Sequence, residues 1–143
     1  MVDPVEILLV EDNPSDQELT LKALKKYNVS NNIFVVEDGA EAVDFVFAEG
    51  EYSARNINML PKLILLDLKL PKISGLEVLK KIKSDQRTKK IPIVMLTSSK
   101  EEKDIIESYE YGVNSYIVKP VDFTKFIESI REIGFYWVLL NQL

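Results

Sequence analysis

KLILLDLKLP, residues 62–71, carries an almost unbroken apolar run into one carboxylate, Asp67, and then into a turn at Pro71. A run without polar alternation suits a strand covered on both faces, as in a parallel sheet under helices. Three further runs end in polar residues of different kinds. EILLV at 6–10 enters Glu11 and Asp12, PIVML at 92–96 enters Thr97, and SYIV at 115–118 enters Lys119. IFVV at 33–36 supplies a fifth strand. In a parallel sheet such ends converge on one edge, where open α/β sheets place their sites. Three acids, a hydroxyl and an ammonium gathered there suit a divalent cation and a phosphoryl group.

The intervening segments are long enough for crossover helices. Asn13 can cap a helix opened by Pro14, with Asp16 at its third position and Leu21, Leu24 and Tyr27 as its buried side. Ala42, Val43, Val46 and Phe47 stripe a second helix, which Gly50 can end. Ser74 and Glu77 form a candidate capping box ahead of Leu79 and Ile82, and Ser99 and Glu102 repeat it before Ile105, Ile106 and Tyr109, with Gly112 as a C-cap. A last helix follows Asp122 through Phe126, Ile130, Ile133 and Trp137. Five alternations of strand and helix predict an α/β fold with a parallel sheet covered on both faces. Right-handed crossovers favour the strand order 2-1-3-4-5. Residues 51–61 break the rhythm and read as an extended loop.

Composition narrows the function. The 143 residues are one domain's length, so residues 1–143 read as a single unit that must act through a partner surface. The 18 basic and 23 acidic residues give a net charge of −5 without a basic cluster, which disfavours direct nucleic-acid binding. Without Cys there is no disulfide, thiol catalysis or thiolate metal site, and without His the usual neutral-pH base and zinc ligand are missing. The start, MVDPVE, is unlike a secretory signal, and no run reaches membrane-spanning length. A soluble cytoplasmic protein with no membrane contact is the expectation.

Each site residue has a plain reading beside the chemical one. Glu11 and Asp12 sit where the chain leaves regular pairing, so both can turn toward one Mg²⁺ or Mn²⁺; Asp12 can equally be a turn residue or local cap. Asp67 can attack phosphorus and become an acyl phosphate, or merely end a strand before a turn. Lys119 can offset phosphoryl charge, or be a surface Lys in a turn. Thr97 can donate to a phosphoryl oxygen, or satisfy a local backbone group. Without a cation the three acids repel one another, which should raise at least one pKa.

The ordered motifs VEDN at 10–13, LLDLKLPKISGLE at 65–77, MLTSS at 95–99 and YIVKP at 116–120 resemble the receiver domain of two-component response regulators over essentially the whole chain. The resemblance implies a flavodoxin-like receiver fold. It makes Asp67 the phosphoacceptor and places Mg²⁺ on Glu11, Asp12, Asp67 and the backbone carbonyl of Lys69. It further implies that Thr97 is the switch hydroxyl, Tyr116 the rotating aromatic and Lys119 the phosphate-contacting Lys, with Lys69 and Ser98 as neighbours of the phosphoryl site. Lys119–Pro120 falls where the family has a cis peptide, although cis is only about 5–6% of X–Pro bonds in folded proteins. At Lys69, phytochrome-type members often have Asn, and a Lys can pair with the phosphoryl group or with Glu11.

Among receivers the chain looks most like the single-domain regulators of cyanobacterial and bacterial phytochrome histidine kinases. The likeness rests on the 51–61 connection, SYIVKPVDFTKF at 115–126 and GFYWVLLNQL at 134–143. It implies a phytochrome-type histidine kinase as partner. Phe135, Tyr136, Trp137, Val138, Leu139 and Leu140 form an apolar extension that either packs back on the domain or joins a homodimer through helix four, strand five, helix five and this tail.

Rival readings remain. A degenerate receiver would be a phosphorylation-independent binding module. An aspartyl-nucleophile phosphohydrolase needs an acid two residues after its nucleophile, where this chain has Lys69. A flavodoxin-like electron carrier needs a phosphate-cradling loop after strand one, where VEDNPSD offers acids and no Gly.

Overall fold

A computed structural model describes residues 5–26, 32–120, 122, 124–126 and 128. Five strands, β1 (Ile7–Val10), β2 (Ile33–Val36), β3 (Leu63–Leu66), β4 (Ile93–Thr97) and β5 (Ser115–Val118), form one parallel sheet in the order β2-β1-β3-β4-β5. The helices are α1 (Pro14–Lys26), α2 (Gly39–Phe47), α3 (Gly75–Ser84) and α4 (Glu102–Glu110), with a 3-10 turn at Gly50–Tyr52. Of the expected fifth helix, 124–126 are helical and Phe126 is buried, while Ile130, Ile133, Trp137 and the 134–143 extension lie outside the described residues, as does Tyr27. The layout is the expected flavodoxin-like one.

Alternate strand residues feed two cores. Leu8, Val10, Ile64, Leu66, Ile93 and Met95 pack with Ala42, Phe45 and Val46 of α2 and Val78, Leu79 and Ile82 of α3. Ile7, Leu9, Leu63, Leu65, Val94, Leu96 and Ile117 pack with Leu24 of α1 and Phe126. Burial on both faces is why these strands carry no polar alternation.

The ladder continues one step past the strands. Glu11 donates its N–H to Val36 O (3.0 Å), Asp67 to Val10 O (3.1 Å) and Lys119 to Thr97 O (2.8 Å). These bonds fix the backbones of the strand-ending residues along one edge of the sheet.

Two local expectations are corrected. α2 ends at Ala48 rather than Gly50: Ala48 takes the left-handed conformation (φ 55°), its N–H bonding Asp44 O and Phe45 O, and Gly50 (φ 54°) follows in the next turn. At the other end of α2 an unexpected cap appears, Asp38 accepting from Glu41 N–H at 2.7 Å. Ser74 caps α3 as expected, but α4 begins after Glu101 with no side-chain cap. Ser99 is drawn elsewhere, its hydroxyl donating to Asp104 Oδ2 at 2.5 Å.

Residues 51–61 form the expected loop, and it is anchored on the domain. Tyr52 meets the rings of Phe34 (5.9 Å) and Phe45 (5.1 Å) edge-on, and its hydroxyl donates to Glu41 at 2.6 Å. Arg55 lies 3.8 Å over the Phe45 ring. This aromatic clasp ties the segment to β2 and α2.

Candidate functional site

β1 and β3 are adjacent, so their first residues beyond the strands, Glu11 and Asp67, meet at the carboxyl edge. Among the described residues, Glu11, Asp12 and Asp67 each offer a carboxylate oxygen within 4.8 Å of the others. Glu11 and Asp67 are buried and Asp12 is exposed, so the cluster opens to solvent on the Asp12 side. An all-oxygen anionic donor set fits a hard divalent cation.

Lys119 lies in the same cluster. Its ammonium bonds Glu11 Oε1 at close range, Asp67 Oδ2 at 3.1 Å and Asp16 Oδ2 at 2.9 Å. Three ammonium hydrogens thus serve three carboxylates. Asp16 was legible only as a first-turn residue of α1, and its approach to Lys119 is a tertiary fact. Gln17, likewise unanticipated, pins the loop by donating to Glu11 O at 2.6 Å.

The remaining acid contacts are local. Asn13 N–H donates to Glu11 Oε2 (3.2 Å), and Lys69 N–H donates to Asp67 Oδ1 (3.3 Å). The Lys69 side chain is exposed, and Glu11 takes Lys119 rather than Lys69 as its ammonium partner. Ser98 is exposed at the end of β4. The Lys119–Pro120 bond is cis, as the family resemblance implied and the general X–Pro preference did not.

Thr97 is fully buried, and its Oγ1 accepts the N–H of Ser99 at 3.3 Å. The carbonyl of Ser99 accepts the hydroxyl of Tyr116 at 2.9 Å. One residue therefore bridges the two groups read from the motif as hydroxyl and aromatic. Burial pushes the Tyr116 phenol upward, only partly opposed by its bond to Ser99, so it remains neutral and able to donate at physiological pH.

Burial is also the largest influence on Glu11 and raises its carboxyl to about 7; Lys119 opposes the rise and the Asp67 charge adds to it. Burial disfavours the Lys119 ammonium, but its bonds to Glu11, Asp16 and Asp67 more than compensate and hold its pKa above the ordinary value. The expected rise of one acid is thus found at Glu11, with burial as its main cause and repulsion from Asp67 a smaller one.

Because the folded value for Glu11, about 7, lies above its ordinary 4.5, the folded chain binds the proton more tightly than the unfolded one. Its contribution to the stability of the cation-free chain is therefore largest below 4.5 and declines as pH rises toward about 7. A cation must also displace that proton. Its affinity should consequently fall as pH drops below about 7, approaching roughly tenfold per pH unit. Calorimetric titration across pH 5–8 measures this, and a flat affinity would contradict the Glu11 assignment.

A family model described as the response regulator receiver domain matches residues 7–131. The chain is 51% identical to the bacteriophytochrome response regulator RtBRR, with a TM-score of 0.85, covering 98% of this chain and 84% of that one. It is 38% identical to the Mn(2+)-bound form of response regulator Rcp1, with a TM-score of 0.78, covering 98% of this chain and 97% of that one. A further relative, the "Probable methanogenesis regulatory protein FilR2" of Methanothrix harundinacea, is 39% identical over 140 residues, 98% of this chain and 88% of its own length. Among the described residues no helix is long and apolar enough to cross a membrane.

Proposed function

Because this chain belongs to the response regulator receiver family, it serves as the receiver of a histidine-kinase phosphorelay, and we propose that Asp67 is its phosphoacceptor. Residues 1–143 form one receiver unit in this reading. Mg²⁺, with Mn²⁺ able to replace it, is held by Glu11, Asp12, Asp67 and the Lys69 carbonyl. When bound it offsets negative charge on the phosphoryl oxygens. The Mn(2+)-bound Rcp1 supports that choice of ion. The carrying observation is the meeting of Asp67 with Glu11, Asp12 and Lys119 at the sheet edge.

An Asp67 carboxylate oxygen bonds to phosphorus while the donor's phosphorus–nitrogen bond breaks, and the leaving imidazole keeps the electron pair. Lys119 supplies a second positive charge beside the product. As an acceptor from Ser99, the Thr97 hydroxyl still has its own hydrogen to give to a phosphoryl oxygen. Movement of Thr97 toward that oxygen pulls on Ser99, and through the Ser99 carbonyl on Tyr116. The output is a shift between two packings of the β4–α4 loop and β5. Intact-mass measurement after incubation with a small acyl phosphate tests the chemistry. One added phosphoryl group with Mg²⁺, and none with a chelator, is expected.

The kinase partner we propose is phytochrome-type, on the strength of the likeness to RtBRR. Ile106 and Tyr109 of α4 and the neighbouring Tyr111 are 48%, 50% and 40% exposed, a row of large apolar groups on the face proposed to meet a second copy of the chain. The proposed dimer face continues into β5, helix five and the 134–143 tail. Sedimentation should show a dimer for the full chain and a monomer for a chain ended after Ile133. A full chain that stays monomeric at high concentration, phosphorylated or not, would remove the dimer from this reading.

A further inference from the structure

Lys119 and a bound cation need the same acids. Glu11 and Asp67 hold the ammonium, and with Asp12 they are also the cluster placed for the cation. Asp16 is the ammonium's remaining partner and stands outside that cluster. It is also the most open of the three, with a side chain 34% exposed against 4% for Glu11 and 11% for Asp67. Its backbone is fixed, since Asn13 Oδ1 accepts the Asp16 N–H at 3.0 Å in the first turn of α1. Asp16 therefore presents a carboxylate at the rim of the site from a set position.

We propose that Asp16 is a positioning residue for Lys119, retaining the ammonium at the rim when a divalent cation takes Glu11 and Asp67. The cation then displaces two hydrogen bonds of the ammonium without driving the whole side chain out of the site. Lys119 stays beside Asp67 and within reach of the group it acquires. Without Asp16, the ammonium has only Glu11 and Asp67 to hold, and each bond a cation breaks leaves it unpaired in a half-buried place, which is costly. A plainer account gives Asp16 no positioning role: its negative charge would attract any cation through space. The two accounts differ in whether the effect of Asp16 requires Lys119.

The inference rests on the proposed Mg²⁺ site, and a double-mutant cycle on the full chain separates the two. Mg²⁺ affinity is measured by calorimetry at constant ionic strength for wild type, Asp16→Asn, Lys119→Ala and the double variant. Asp16→Asn should weaken binding about 5-fold when Lys119 is present and less than about 2-fold in the Lys119→Ala background. Asp16→Glu, keeping charge and reach, should recover most of the loss. In the Mg²⁺-loaded wild type the Lys119 ammonium hydrogens should give a protected nitrogen-15 signal that Asp16→Asn loses. Equal loss in both backgrounds, or no loss in the single variant, would overturn the positioning role while leaving the cation site intact. Absence of Mg²⁺ binding by wild type would overturn both.

Discussion

Replacing Asp67 with Asn is expected to abolish phosphoryl acceptance from a small acyl phosphate while leaving the chain folded. An amide oxygen is a far poorer nucleophile than a carboxylate, and no other acid of the cluster shares its place at the end of β3 beside Lys119. Asp12 is exposed on the solvent side, and Glu11 is drawn onto Lys119 and the Asn13 N–H. The fold should survive because the backbone bond from Asp67 N to Val10 O does not involve the side chain, and Asn keeps an oxygen for the Lys69 N–H. Removing one of three acids relieves like-charge repulsion in the cation-free form, which offsets the loss of the Asp67–Lys119 ion pair, so the variant should melt close to wild type. Intact mass and thermal melting read the two halves separately. Unchanged labelling of the variant would move the phosphoacceptor elsewhere.

A second large effect is expected at Gly75, the first residue of α3, whose N–H donates to Leu68 O at 2.7 Å. A methyl group there would stand 2.0 Å from the carbonyl oxygen of Asp67 and 2.7 Å from Leu68 Cα. Both are backbone atoms, so no side-chain rotation relieves the overlap; either α3 or the end of β3 must move. Gly75→Ala should therefore lie at the upper end of overpacking costs, about 3 kcal/mol, and lower the melting temperature by roughly 10 °C. Because the displaced atoms belong to Asp67, the variant should also accept phosphate more slowly than its residual folded fraction explains. A melting temperature within about 2 °C of wild type would show that the helix start yields without cost.

The apolar runs and their endings were enough to place five strands, their order and the row Glu11, Asp67, Thr97, Lys119. Both-face burial leaves a strong local mark, and parallel pairing sends every strand end to the same edge. The Asn13 and Ser74 caps were legible for a similar reason, since a cap acts within three or four residues. Other features depended on where distant segments meet. Ser99 had the spacing of a cap, yet its hydroxyl donates to Asp104 and accepts the N–H of Glu101, one residue short of the helix, so α4 starts without it. The 51–61 loop was legible as an interruption, but its packing was not, because its anchor is the Phe34–Phe45 pair brought together by β2 and α2.

Asp16 and Lys119 show most clearly what tertiary structure alone decided. They lie 103 positions apart, and nothing in the spacing around either one indicates the other. Sequence determined that a lysine ends β5 and that acids follow β1 and β3. Only the assembled sheet, with α1 turning back over its edge, decided that the lysine's third hydrogen meets Asp16. Local chemistry follows from neighbours along the chain, whereas the partner of a side chain at a sheet edge follows from strand order and helix placement.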